Sequence, residues 1–77
     1  MNAHQKYINL MARTFGVEKI QVGRLVFRIF KKEARLQGVP LDQLIGLKIE
    51  LVRSLPGDAV VFVNAQGHTM LKAEYPI

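Results

Sequence analysis

Apolar residues recur at helical spacing along the first fifteen positions of the chain. They are Ala3, Tyr7, Leu10, Met11 and Phe15. Spacings of i, i+4, i+7, i+8 and i+12 place these side chains on one face of a helix, and Gly16 is a residue type at which helices end. We therefore predict a first helix over residues 2–15.

The segment 17–37 fits two interpretations. Its apolar positions follow helical spacing at Val22, Leu25, Val26, Ile29, Phe30 and Leu36. Gly38 stands where a C-terminal cap glycine belongs. Against a helix, residues 22–30 are rich in β-branched and aromatic side chains, and Gly23 costs a helix interior about 1 kcal/mol relative to alanine. The longer periodic span favours a second helix, with a strand over residues 22–30 as the alternative.

A third apolar pattern begins after Gly38-Val39. Pro40 suits the first turn of a helix, and Asp42 suits its positive end. The core face would consist of Leu41, Leu44, Ile45, Val52 and Leu55, widened by Leu47 and Leu51. Pro56-Gly57 would end this element. We predict a third helix, lying across the middle of the core.

From Asp58 onward the hydrophobic period changes to two. Residues 59–63 and 69–75 alternate as strands do, and Asn64 and Gly67 fit the first and fourth positions of a type I turn. Pairing Asn64 with His68 would turn one set of side chains towards the helices: Ala59, Val61, Val63, Leu71, Ala73 and Tyr75. The opposite face would carry Val60, Phe62 and Met70, which we expect to form the interface of a homodimer.

These elements predict an α+β fold of three helices followed by a C-terminal antiparallel β-hairpin, in a single domain over residues 1–77. A strand at 22–30 would instead give a winged-helix-like arrangement. The segment from Ala34 through Gly38-Val39 to Leu44 and Leu47 resembles a helix-turn-helix, and the element order resembles Cro-type phage repressors and winged-helix domains. In those folds a terminal hairpin mediates dimerisation or contacts DNA. Because only Gln43 and Lys48 are suited to reach a base edge, we favour an ordinary helix corner over a base-reading motif.

Composition narrows the function. Eleven Lys and Arg against six Asp and Glu give a net charge of +5, which favours anionic partners. Cysteine is absent and His4 and His68 are the only histidines, so we expect no disulfide, no metal site and no cofactor. The apolar runs are far shorter than the ~20 residues of a membrane span, and the first fifteen residues lack the apolar region of a signal peptide. We therefore expect a cytoplasmic protein with no membrane partner.

The strongest functional pattern is a basic stripe in the second predicted helix. Its members are Arg24, Arg28, Lys31 and Arg35, with Lys32 at the edge. Spacings of i, i+4, i+7 and i+11 place them in a narrow arc opposite the apolar face, and Glu33 is the one acid between Lys19 and Arg35. Such a row suits the phosphates of a duplex backbone. We expect a nucleic-acid-binding protein, and in particular a DNA-binding regulator.

Two alternatives stay open at this point. The stripe could instead face an acidic protein surface, which would make the chain a protein-interaction module such as a small inhibitor or adaptor. It could also be a solvated helix face. A strand over residues 22–30 would break the stripe, because Val26 and Phe30 would then share its face.

Catalysis has little support in the sequence. His4, His68 and Ser54 are scattered, and the glycines form no phosphate-binding loop. We expect no enzymatic activity. Glu33 lies amid the apolar residues of the second helix, and we expect it to pair with Lys48 or Arg53 of the third.

Overall fold

The computed structural model describes residues 2–76, and in that range two helices cover one face of a four-stranded mixed sheet. The elements in chain order are α1 (Ala3–Thr14), β1 (Lys19–Val22), α2 (Arg24–Gln37), β2 (Lys48–Leu51), β3 (Ala59–Val63) and β4 (Thr69–Glu74). The strands lie in the order β2-β1-β3-β4. β1 and β2 are parallel, whereas β3 runs antiparallel to both β1 and β4. The predicted fold of three helices and a hairpin is therefore wrong, although both folds are α+β.

The segment 17–37 contains a strand and a helix that meet at Gly23. The helix prediction is confirmed for Arg24–Gln37, and the alternative strand over 22–30 is wrong. The preceding residues form β1, in which Ile20 and Val22 are fully buried while Lys19 and Gln21 are only partly buried. Gly38 ends α2 in the left-handed conformation at φ 69°, as its C-terminal position predicts.

The predicted third helix is replaced by a short turn and a strand. Residues Leu41–Gln43 form a single 3₁₀ turn, and Gly46 then takes a positive φ of 74°. In β2, Ile49 is buried and Lys48 is exposed, which is the two-residue period of a strand beside a core. Parallel pairing with β1 supplies the backbone hydrogen bonds that a helix would have made internally. Since no α-helix follows α2 as far as residue 76, the helix-turn-helix corner and the winged-helix alternative are also wrong.

The C-terminal hairpin is confirmed, but its register differs from the predicted one. At the turn, the Gly67 amide donates to the Asn64 carbonyl (3.0 Å), and Gly67 has a φ of 83°. Val63 pairs with Thr69, but Phe62 pairs with Leu71, so a bulge shifts the register by one residue. Neighbouring residues of a strand point to opposite faces, so the shift turns Val60 and Phe62 of β3, and not the predicted Ala59, Val61 and Val63, towards the helices. Leu71, Ala73 and Tyr75 pack against the core as predicted.

The exchanged register corrects the predicted dimer interface. Val60 and Phe62 pair with Ala73 and Leu71 on the face that the helices cover, and they are 1% and 0% exposed. Buried in the protein's own core, they offer no surface to a second copy. Met70 is 46% exposed beside the bulge.

One apolar cluster holds the helices against the sheet. It consists of Ile8, Ala12, Val17, Ile20, Val22, Val26, Phe30, Ala34, Leu44, Ile45, Ile49, Val60, Phe62 and Tyr75. The rings of Phe30 and Tyr75 meet edge to face with centroids 5.3 Å apart. The cluster therefore joins both helices, the strands β1, β2 and β3, and Tyr75 just after β4 in a single core.

The first helix is confirmed, but the apolar face expected of it is largely exposed. Ile8 and Ala12 enter the core, whereas Tyr7, Leu10 and Phe15 are 55%, 61% and 46% exposed. The helix begins with a capping box in which Asn2 and Gln5 exchange hydrogen bonds between side chain and backbone. The side chain of Asn9 then donates to the Ile45 carbonyl, which fixes α1 to the loop before β2.

Gly23 is where the backbone makes its closest approach to another segment. A Cβ atom at this position would lie 1.8 Å from the Pro56 carbonyl oxygen and 2.8 Å from the Gly57 carbonyl carbon. The Gly57 oxygen accepts hydrogen bonds from the amides of Leu25 and Val26, both at 3.1 Å. These amides belong to the first turn of α2, where a helix has no internal acceptor for them. The segment before β3 thus caps α2 through backbone contact.

We predict that Gly23→Ala destabilises the protein by about 3 kcal/mol or prevents folding, because the added methyl group collides with backbone atoms that cannot rotate away. Gly38→Ala is the control. It introduces a left-handed alanine in open space, which costs about 1–2 kcal/mol. Urea unfolding followed by circular dichroism measures both losses. Equal losses for the two variants would contradict the close packing at Gly23.

Candidate nucleic-acid interface

The five residues of the basic stripe all lie on α2 and are all exposed. They are Arg24, Arg28, Lys31, Lys32 and Arg35. The buried residues of the same helix are Val26, Phe30 and Ala34. At a rise of about 1.5 Å per residue, the stripe extends roughly 16 Å along the helix axis. The helix thus presents a continuous cationic row on the side away from the core.

These cations have no acidic partners among the described residues. The one ion pair within residues 2–76 joins Lys19 to Glu50 at 3.5 Å, on the sheet. Glu33 accepts a hydrogen bond from Gln37 one turn later (3.1 Å) and pairs with neither Lys48 nor Arg53, contrary to the expectation. The Lys31 ammonium lies 5.6 Å from the centroid of the Phe27 ring, a cation–π contact on the same helix. The charge of the stripe is therefore available to an external anion.

Positive charge is divided unequally between the two layers. The two helices contain seven of the eleven Lys and Arg residues and one of the six Asp and Glu residues, a net charge of +6. The rest of the chain contains four basic and five acidic residues, a net charge of −1. The net charge of the protein thus comes entirely from its helix layer.

Arg53 adds a sixth cation beside the stripe, from a different segment. It follows β2 in the chain and lines a shallow cleft of about 480 Å³ at the start of α2. The cleft is lined by Arg24, Leu25, Arg28, Arg53, Leu55 and Gly57. Arg53 belongs to the predicted third helix, and no local pattern in the sequence indicates that the β2–β3 connection returns to the start of α2.

The opposite face of the sheet has mixed charge. Glu50 accepts a hydrogen bond from the Gln21 side chain (2.9 Å) and pairs with Lys19. The Gln21 hydrogen bond and the nearby Lys19 ammonium lower the pKa of Glu50 below its ordinary value. Val61 and Val63 on this face are 5% and 2% exposed, so the polar side chains beside them leave little apolar surface. This face lacks the one-signed charge of the basic stripe.

The remaining candidate residues are not brought together. The His4 ring packs edge to face on Tyr75 with centroids 5.7 Å apart, and His68 lies exposed after the hairpin turn. Gln43 lies in the 3₁₀ turn and Lys48 lies on β2, so they do not share a recognition helix. Within residues 2–76, no three His, Cys, Asp or Glu side chains are grouped as metal ligands.

Comparison with known proteins yields no relatives: no family model, curated protein or solved structure matches the chain. Neither α1 nor α2, the helices found between residues 2 and 76, is long and apolar enough to span a bilayer. The geometry and charge of the helix layer are therefore the features that bear on function.

We predict that Arg24→Gln and Arg28→Gln leave the free energy of unfolding unchanged or raise it by a few tenths of a kcal/mol. Both changes relieve like-charge repulsion one turn apart, and Arg24 also opposes the positive end of the helix dipole. Val26→Ala, on the buried side of the same helix, is the control and should cost about 2 kcal/mol. Urea unfolding checks all three. A loss above about 1 kcal/mol for either arginine variant would assign the stripe a structural role.

Proposed function

We propose that this protein binds nucleic acid and that the basic stripe on α2 contacts the phosphates of a duplex. The main support for this proposal is the row of five exposed cations, which have no acidic partner in the described residues. A face selected only for solubility would alternate charges along the helix, because opposite charges one turn apart stabilise it. The like-charged row lowers helix stability and suits a polyanion. More specifically, we propose a cytoplasmic DNA-binding regulator.

Counterion release supplies the free energy of such binding. If all five cations neutralise phosphates, the slope of log K against log salt concentration approaches about −4.5. The stripe is long enough to span about five successive phosphates at ~3.4 Å of duplex axis per step. Binding of this kind positions the protein on the backbone without reading base edges. We therefore propose weak sequence selectivity and strong salt dependence.

The side chains on the outer surface of α2 favour backbone contact over base stacking. Phe27, the aromatic residue nearest the stripe, is half-buried and lies under Lys31. Leu25 and Leu36 are exposed on the same helix but offer no aromatic ring to an unpaired base. Proteins that bind single strands stack bases on exposed aromatic side chains. A duplex is therefore the ligand that this surface suits.

We predict that Arg28→Glu combined with Arg35→Glu weakens duplex binding about 100-fold and reduces the salt slope by about 2, because two phosphate contacts become repulsions. Fluorescence anisotropy with a labelled duplex at several salt concentrations measures both quantities.

Lys48→Glu combined with Lys72→Glu is the matched control, since it changes the net charge equally on exposed positions of the sheet. Its affinity should stay within about threefold of the wild type, the residual long-range effect being screened by salt. The proposal fails if the two double variants bind alike, or if wild-type affinity hardly changes with salt.

A protein-interaction role is the second candidate, and α1 carries the observation in its favour. Tyr7 and Leu10 lie one turn apart and are 55% and 61% exposed. Lys6 and Arg13 are on the same helix, which has no acidic residue. Exposed aromatic and aliphatic side chains beside basic residues are common in protein interfaces.

If this second candidate is correct, the immobilised wild-type protein should retain a partner protein after nuclease treatment. The double variant Tyr7→Ser with Leu10→Ser should not retain that partner. Both changes remove apolar contact area from the α1 surface. Leu36→Ser is the control, because Leu36 is 73% exposed on the other helix. Quantitative mass spectrometry of the bound fraction checks the outcome. Retention by the double variant, or equal loss from Leu36→Ser, would exclude α1 as the docking surface.

A further inference from the structure

We infer that the cleft between the start of α2 and the β2–β3 connection binds a single phosphate group through Arg24, Arg28 and Arg53. This inference deepens the proposed function. It rests on that function in one respect, namely that the phosphate belongs to a polynucleotide. It adds a residue outside the stripe and a defined position at which a strand would be held.

The three arginines come from two segments and line one concave surface. Arg24 and Arg28 are one helical turn apart, and Arg53 approaches from the connection between β2 and β3. None of the residues that line the cleft is acidic. Three exposed guanidinium groups around one cleft repel one another, and an anion between them would convert this repulsion into attraction.

Arg24 occupies a position that helix electrostatics disfavours. It is the first residue of α2, next to the positive end of the helix dipole, and the first turn contains no acidic residue. Local rules of this kind are broken most often at functional sites. A bound phosphate would interact favourably with both the guanidinium group and the helix dipole.

The side chains, and not the amides of the helix end, would supply the hydrogen bonds. The amides of Leu25 and Val26 already donate to the Gly57 oxygen, so they are not free for an anion. The same contact fixes the backbone around Arg24 relative to the segment that follows Arg53. Guanidinium groups bind phosphate with two parallel hydrogen bonds, a geometry that lysine lacks.

The cleft wall suggests that the phosphate belongs to a larger molecule. Leu25 and Leu55 line the cleft together with Gly57 and provide an apolar surface beside the three charges. A sugar attached to the phosphate would pack there, whereas a free inorganic ion would leave this surface wet. An internal phosphodiester and a terminal phosphate of a strand offer the same chemistry, and the experiment below separates them.

The first test uses the arginine side-chain Nε–H signals of the 77-residue chain in NMR titrations. Inorganic phosphate should shift the signals of Arg24, Arg28 and Arg53 several-fold more than those of Arg13 and Arg35. Equal shifts for all five arginines, or no shift, would overturn the inference. Duplexes with 5′-hydroxyl and with 5′-phosphate ends are then compared. A response of the Arg53 signal to both duplexes identifies an internal phosphodiester, and a response to the 5′-phosphate duplex alone identifies a terminal phosphate. If the duplexes bind and the Arg53 signal responds to neither, the inference is overturned.

The second test measures duplex affinity by anisotropy. Arg53→Gln should weaken binding about tenfold and reduce the salt slope by about 1, because one charge-assisted phosphate contact is lost. Arg53→Lys keeps the charge but not the paired hydrogen bonds and should bind about threefold more weakly than wild type. Lys72→Gln, which removes an exposed charge from the sheet, should bind like wild type. If Arg53→Gln binds duplex as tightly as the wild type, the inference is overturned. If Arg53→Lys does so, position 53 contributes only its charge and not paired hydrogen bonds, and the inference is overturned as well.

These tests fail separately from the proposed function. If the wild type binds no duplex but its three cleft arginines respond to inorganic phosphate, duplex binding is excluded and the phosphate cleft stands. If the wild type binds duplex, inorganic phosphate shifts all five arginine signals alike and the Arg53 signal does not respond to the duplex, the stripe stands and the cleft is excluded.

Discussion

The contact between Gly23 and the Pro56-Gly57 backbone determines how the rest of the structure is arranged. It holds the end of β1, the start of α2 and the entry to β3 at one point, and a single carbonyl oxygen satisfies two amides of the helix end. Because the Gly57 carbonyl must reach the amides of Leu25 and Val26, the Pro56-Gly57 backbone lies so close that no side chain fits at position 23. The direction of α2 over the sheet, and hence of the basic stripe, follows from this backbone contact.

The two faces of the molecule follow different electrostatic rules. On the outer sheet face, Glu50, Gln21 and Lys19 satisfy one another through a hydrogen bond and an ion pair. On the helix layer, like charges are left next to one another without an acidic partner in the described residues. Exposed ion pairs contribute little to stability, so the sheet arrangement is not required for folding. The same chain thus pairs opposite charges on the sheet face and leaves like charges uncompensated on the helix face, which supports a binding role for the helix face.

Local patterns in the sequence predict the helices and the turn but not the sheet. α1, α2 and the turn at Asn64–Gly67 depend on spacing and on single glycines, which act over a few residues. β1 and β2 are four residues each, and their alternation at Lys19–Val22 and Lys48–Leu51 is too short to outweigh the longer apolar patterns around them. The stripe was predictable because all five cations lie on one helix. The position of Arg53 beside the stripe was not predictable, since it depends on how the β2–β3 connection packs against the start of α2.

The bulge opposite Phe62 and Val63 has a consequence for the outer edge of the sheet. β4 is an edge strand with unpaired backbone groups, and such strands tend to recruit other chains into continuous sheets. A bulge increases local twist, and Lys72 places a charge in the middle of the strand. An incoming strand would have to match this twist while burying an ammonium group. The irregularity that directs Phe62 into the core thus also protects the protein against aggregation.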